Sequence, residues 1–335
     1  MNNIGKIAKW MIAVFLVVSV VAWCSPTRAQ QAIRIGTSSI GSAFYTIAIG
    51  ASEVIRKHSG LNTTVETVGG SSANMRGLGA KKIEFAMANA FAAFTSFKGT
   101  HNFKKPVNVR LVIQGQSSNR WLLLRKGAGI KRLQDLEGRT VIAKRRALPE
   151  IALVMNAFLK VFNLDKKKIN IVATTNSRQA YKALRVGSVD AGVMPFSRKS
   201  AAVQKPMRDG VLEFFYTSKK KRDQMLNHLP PMMWGATFPG GTFEGQKKKL
   251  NLLGMNVYFM TRPDVSNETV YKVTKALLEN TKEFATYHRA ARLWTLKRAM
   301  RHVALPFHPG AIKYFKEKGV WTAEHEATQK KLLSR

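Results

Sequence analysis

Strand-like and helix-like segments alternate along this chain from residue 32 to residue 216 almost without a break, and this limits the folds open to it. A short apolar run at 32–36 precedes a helical segment reaching about residue 58. In it Phe44, Ile47, Ala48, Ala51, Val54 and Ile55 recur at the three-and-four spacing of one buried stripe. Gly60 stands where a left-handed cap ends a helix. Further strands are predicted over 63–68, 85–89, 109–114, 121–125, 140–143, 169–172, 191–194 and 212–216. Helices are predicted over 90–98, 149–162, 176–186 and 197–207, with a short one capped by Ser71 or Ser72 and running through Asn74 and Leu78. Such alternation produces mostly parallel sheets with helices on both faces. Beyond residue 265 the pattern is mainly helical: Ser266 caps a helix over 268–279, and Pro309 opens another that Gly319 closes. The 335 residues suffice for about two domains. No linker-like stretch separates them, so two lobes would have to exchange the chain more than once.

Apolar residues at 45% supply an ample core and exclude a disordered chain. Charge raises a separate question, because 55 Lys and Arg against 19 Asp and Glu leave a formal +36. An excess of that size suggests a polyanion partner. The basic runs at 166–168, 219–222 and 247–249 are short, however, and interrupt ordinary amphipathic segments. Aromatic residues do not interleave with them as a stacking platform for bases requires. The reading is solvated surface charge that can steer anions, with no nucleic-acid partner. Polyanion binding stays as an alternative.

The N-terminus reads as an address. Lys6 and Lys9 precede an apolar stretch over 11–22, one secretion segment long and too short to span a bilayer comfortably. Thr27 and Ala29 place small residues for a cut after Ala29. The expectation is therefore a signal peptide over 1–29 and a periplasmic mature chain from Gln30. The rivals are a lipoprotein anchored at Cys24, disfavoured by bulky Trp23 before it, and an uncleaved anchor. Cleavage removes Lys6, Lys9 and Arg28 and leaves +33. Cys24, the only cysteine, excludes an intrachain disulfide.

Catalytic templates fail one by one. Gly36 to Gly41 has phosphate-loop spacing, but Ala43 takes the lysine position. Gly77-Leu78-Gly79 begins a dinucleotide fingerprint that Lys82 interrupts. Ser218 and Lys221 match a Ser-x-x-Lys pattern only inside a lysine run, and no His pairs with another His or a Glu at metal-ligand spacing. The reading is a non-enzyme with no cofactor and no metal. What remains are two Gly/Ser loops, 37–42 and 69–72, each after a strand and before a helix. In open α/β sheets ligands bind at the carboxyl ends of strands, where helix N-termini offer free N–H groups to anions.

The segments carrying these loops are similar to a known family. Residues 35–45 (Ile-Gly-Thr-Ser-Ser-Ile-Gly-Ser-Ala-Phe-Tyr) and 68–75 (Val-Gly-Gly-Ser-Ser-Ala-Asn-Met) resemble the opening of the TAXI-type solute receptors of TRAP transporters. The likeness continues at 130–138, at Val189-Asp190-Ala191-Gly192, at Phe238-Pro239-Gly240-Gly241-Thr242-Phe243, over 264–280, and at His308-Pro309-Gly310-Ala311 with Tyr314 and Gly319 downstream.

The resemblance implies a two-lobed periplasmic binding protein-like α/β fold of type II, with the ligand cleft between lobes. Lobe one would comprise 30–120 plus 262–335, and lobe two 121–261. The implied function is an extracytoplasmic receptor for a small anionic solute or amino acid, glutamate-like or 2-oxo-acid-like, working as a monomer with TRAP-type permease subunits. A ligand-sensing domain serving a signalling partner is the alternative. Thr37, Ser38, Ser39, Gly41, Ser42, Tyr45, Ser71, Ser72 and Asn89 would hold one end of the ligand. Arg145 or Arg146 would clamp a carboxylate from the opposite lobe. Three departures stand out: Lys144-Arg145-Arg146-Ala147-Leu148-Pro149-Glu150 replaces the family's Gly-Ser-Gly-Thr loop, Asn89-Ala90-Phe91 its Gln-Ser-Asp, and Phe196-Ser197-Arg198 its Gly-x-Pro. Lobe one thus looks conventional and lobe two does not.

Overall fold

The computed structural model describes residues 32–198, 200–301 and 303–334, so the expected signal peptide lies outside the described residues. Strand β1 (Ile33–Thr37) leads into helix α1 (Ala43–Ser59), β2 (Thr63–Thr67) into α2 (Ser71–Gly79), and β3 (Phe85–Asn89) into α3 (Ala90–Lys98). The buried face of α1 is Ile47, Ala48, Ala51, Val54 and Ile55, and Gly60 closes the helix at φ 68° with its N–H on the Arg56 carbonyl. Both follow from the stripe and cap expected of the sequence.

Strand β4 (Arg110–Arg125) is a correction. Two separate strands were expected at 109–114 and 121–125, whereas one 16-residue strand runs through both. The intervening Gly115-Gln116-Ser117-Ser118-Asn119-Arg120 carries no strand expectation because it is polar. In the fold it is strand whose polar side chains are buried: Gln116, Asn119 and Arg120 are all nearly inaccessible. After β4 the alternation resumes with β5 (Thr140–Lys144), α4 (Glu150–Val161), β6 (Asn170–Ala173), α5 (Ser177–Val186), β7 (Ala191–Phe196), α6 (Ala201–Arg208), β8 (Leu212–Phe214) and α7 (Lys219–Leu226). Helix α6 starts four residues later than expected. Strands β9 (Trp234–Phe238) and β10 (Leu250–Thr261) have no counterpart in the sequence reading. Helix α8 (Asn267–Glu279) is capped by Ser266, whose hydroxyl accepts from the Thr269 N–H, and the helix at Pro309–Glu317 is followed by Gly319 in the left-handed region.

The strands order as β2-β1-β3-β10-β4-β7-β5-β6. β1 is parallel to β2 and β3, and β5 to β6 and β7. The long antiparallel pair β4 and β10 joins these two parallel sets. Its register runs from Thr261 opposite Arg110 to Leu253 opposite Arg120 and breaks between Asn256 and Tyr258. On one side of that break β10 pairs with β3; on the other it pairs with β9, while β4 pairs with β7 and β8. Two chain segments therefore cross from one half of the sheet to the other. Each half has its own apolar packing. Phe85 stacks on Phe259 in the first; Trp121 packs on Phe158, and Phe196, Phe214 and Phe243 cluster, in the second.

Candidate functional site

The carboxyl ends of β1, β3 and β5 converge where the two halves of the sheet meet. Thr37 closes β1, and its carbonyl accepts from the N–H groups of both Gly69 and Gly70 at 3.3 Å. That turn needs φ 114° at Gly69 and 105° at Gly70, a backbone region that side chains resist, so glycine is required there. A methyl at Gly70 would also sit 3.6 Å from Ser38 Oγ and 3.6 Å from Ala147 Cβ, so this loop lies against the loop after β5.

Gly70, not Ser71 or Ser72, is the N-cap of α2, and it caps without a side chain. The serines are thereby free for other work. Ser71 Oγ accepts the Asn89 N–H at 3.1 Å, and Ser72 Oγ is buried with no partner. Asn89 ends β3 and caps α3, its Oδ1 accepting from the Ala92 N–H at 2.8 Å. Its amide reaches the other half of the molecule and donates to Glu150 Oε1 at 2.9 Å.

Glu150 opens α4 directly after Pro149, which sets the backbone for a helix start. Its Oε1 also accepts from Arg120 Nε at 3.0 Å and Nη2 at 2.6 Å. Arg120 Nη1 donates to Ser118 Oγ and to the Asn119 carbonyl. Both members of the pair are sealed from solvent, with Arg120 1% and Glu150 0% exposed. All three donors fall on Oε1, and Oε2 is buried without a partner.

Arg145, 8% exposed, completes the group. Its Nη1 donates to Ser177 Oγ in the first turn of α5 at 2.8 Å, while its Nε has no partner. Burial pushes its guanidinium down to about 10, with repulsion from Arg120 adding to the effect and attraction to Glu150 opposing it. Of the two guanidiniums, Arg120 holds the buried carboxylate and Arg145 bonds to Ser177 instead, so the cluster carries a net positive charge. Thr37 Oγ1, Ser72 Oγ, Arg145 Nε and Glu150 Oε2 are buried polar atoms without partners on the residues gathered here. Buried polar groups are normally satisfied, and four such atoms around one boundary mark a place prepared for a polar occupant.

The expected site residues therefore divide. Thr37, Ser38, Ser71, Ser72, Asn89 and Arg145 are buried around the boundary. Ser39, Gly41 and Arg146 are exposed, and the neighbouring Ile40 carbonyl receives a long hydrogen bond of 3.4 Å from Arg178 Nη2 across the boundary. Ser42 is the cap of α1, accepting from the Tyr45 N–H at 3.2 Å, and the Tyr45 side chain is half-buried. Sequence reasoning missed Arg120, Glu150 and Ser177. The available signal for Arg120 was the polar stretch between two apolar half-strands; for Glu150 it was an acid directly behind a helix-starting proline in an otherwise basic loop.

A model of the NMT1-like family matches residues 35–319. Among solved structures, PhnD1 of Prochlorococcus marinus, determined in complex with methylphosphonate, is similar with a TM-score of 0.58 and 10% identity over 90% of this chain and 99% of that one. MatC of Rhodopseudomonas palustris, determined with bound malate, is similar with a TM-score of 0.54 and 13% identity over 86% and 96%. Identities this low speak for the fold alone. Among the described residues no helix is long and apolar enough to cross a membrane. The family match spans both parallel strand sets and the two strands that join them, and the chain belongs to the NMT1-like family, with the two-lobed α/β architecture of a periplasmic binding protein.

Proposed function

We propose that this protein is an extracytoplasmic solute receptor of the TAXI type, which binds a small organic anion between its lobes and delivers it to a TRAP-type permease. The observation that carries the proposal is the buried, net-positive cluster of Arg120, Arg145 and Glu150, with unsatisfied polar atoms contributed from both sides of the lobe boundary. Burying an uncompensated guanidinium is costly, and an anion arriving between the lobes would remove that cost. Thr37, Ser38, Ser71, Ser72 and Asn89 would supply the first lobe's donors, and Arg145 the clamp from the second. Closure would bend the chain in β4 and β10, near the register break at Asn256. Lobe boundaries inside these strands would be compatible with the division expected at residues 120 and 262. Residues 1–29 would direct export and be removed in the process, leaving a periplasmic monomer. A thermal-shift panel of small carboxylates, sulfonates and phosphonates on the chain from Gln30 tests the reading. At least one anion should stabilise the protein saturably, and Arg145→Ala should abolish the shift. No stabilisation by any member at millimolar concentration would overturn the reading. Capture of a membrane permease from detergent extracts tests the partner.

A further inference from the structure

Glu150 is an unusual group to find inside an anion site, and its two oxygens are treated very differently. Oε1 takes three donors, from Asn89 and twice from Arg120. Oε2 takes none, although it is fully buried. Arg145, whose charge interacts with that of Glu150, keeps a buried Nε that likewise has no partner. The cluster thus offers an anion a buried, unpaired guanidinium N–H and confronts it with a buried, unpaired carboxylate oxygen.

We infer that the ligand is a carboxylate bearing a hydrogen-bond donor on the adjacent carbon, a hydroxyl or an ammonium, and that Glu150 Oε2 receives this donor while Arg145 Nε takes the carboxylate. This rests on the receptor reading above and narrows it. A 2-oxo acid presents a carbonyl oxygen in the same place. Two acceptors then face each other at Glu150 Oε2, and the ligand gives that buried oxygen no proton. A site built around a buried hydrogen-bonding group discriminates strongly against the analogue that cannot complete the bond, because the group is left unpaired. The 2-oxo acids, expected as ligands from the family resemblance, are therefore the class this chain rejects. Charge balance favours ligands of net charge −1: a 2-hydroxy monocarboxylate, or an amino acid with an acidic side chain. Either neutralises the surplus guanidinium.

Isothermal titration of the chain from Gln30 with matched sets tests the inference: lactate, pyruvate and alanine; malate, oxaloacetate and aspartate; 2-hydroxyglutarate, 2-oxoglutarate and glutamate. In the set that binds, the hydroxy or amino member should bind at least about thirtyfold more tightly than the oxo member, as loss of one buried hydrogen bond demands. Which of the two donor-bearing members binds separates the hydroxyl from the ammonium. Glu150→Gln keeps an acceptor for Arg120 and turns an N–H toward the ligand, so the gap should shrink to less than about threefold. An oxo acid binding wild-type protein as tightly as its hydroxy and amino partners overturns the inference and leaves the receptor reading standing. Absence of binding by every member of every set, together with a blank thermal-shift panel of anions, overturns both. The wild-type ratio decides the matter even if Glu150→Gln folds poorly.

Discussion

Breaking the Arg120–Glu150 pair from one side should be far worse than removing it entirely. With both partners sealed, Glu150→Met leaves the Arg120 guanidinium in a dry site with its carboxylate gone. Arg120→Met leaves the carboxylate with only Asn89. Stranding one buried charge costs about 3–5 kcal/mol. Unfolding entropy near 2.1 cal/mol/K per residue over about 300 residues gives about 0.6 kcal/mol/K, so each single substitution should lower Tm by about 5–8 °C. The double variant Arg120→Met/Glu150→Met removes both charges and fills the space with apolar volume. What remains is the loss of an acceptor for the Asn89 amide and of a donor to Ser118, about 1–2 kcal/mol, or about 2–3 °C. Urea unfolding of the four proteins, followed by tryptophan fluorescence, closes the double-mutant cycle. The expected coupling exceeds about 4 kcal/mol. Additive losses in the double variant, or single variants within about 1 kcal/mol of wild type, would show that the pair is hydrated in solution and refute its description as a buried cluster.

Three other outcomes follow from particular residues. Burial holds the Arg145 guanidinium near 10. The folded chain therefore holds this charge less readily than the unfolded chain, a cost fully present below about pH 10, and Arg145→Met should raise Tm by about 2–5 °C while abolishing anion binding; a fall in Tm on differential scanning calorimetry would contradict this. Burial also holds the His308 imidazole below its usual range, and its Nδ1 accepts from the Gly310 N–H. The unfolded chain then binds a proton near pH 6.5 that the folded chain refuses, so stability should decline as pH falls below about 6.5; urea midpoints for His308→Gln should show a shallower decline, and unchanged slopes would exclude the assignment. At Gly115 in β4 an added methyl would overlap the ring of Trp294, which is 1% exposed and donates to Gln116. Gly115→Ala should cost about 1–3 kcal/mol by overpacking, read as a lowered urea midpoint, and a neutral result would mean that this junction is loosely packed.

Much of the first lobe was legible because its determinants are local. The stripe of α1, the Gly60 cap, the Gly69–Gly70 turn and the Ser266 cap each depend on residues within a few positions of one another, so spacing and residue type sufficed. The surplus of positive charge and the absence of enzyme templates were likewise properties of the chain itself. The middle of β4 was not legible. Gly115 to Arg120 has the polarity of a loop, and becomes strand only because β10, more than 130 residues away, pairs alongside it. The site divides the same way. Thr37, Ser71, Ser72 and Asn89 were singled out from their places at strand ends and Arg145 from its loop, and the fold buries all five. Whether Arg145 or its neighbour Arg146 turns inward depends on what packs against that loop, and Ser177 of α5 settles it for Arg145. Glu150 is an ordinary helix-start acid until the fold brings Arg120 and Asn89 onto one of its oxygens and leaves the other bare. Local propensity sets caps, turns and stripes; the pairing of distant strands decides which polar groups lose their water, and the candidate site is made of those groups.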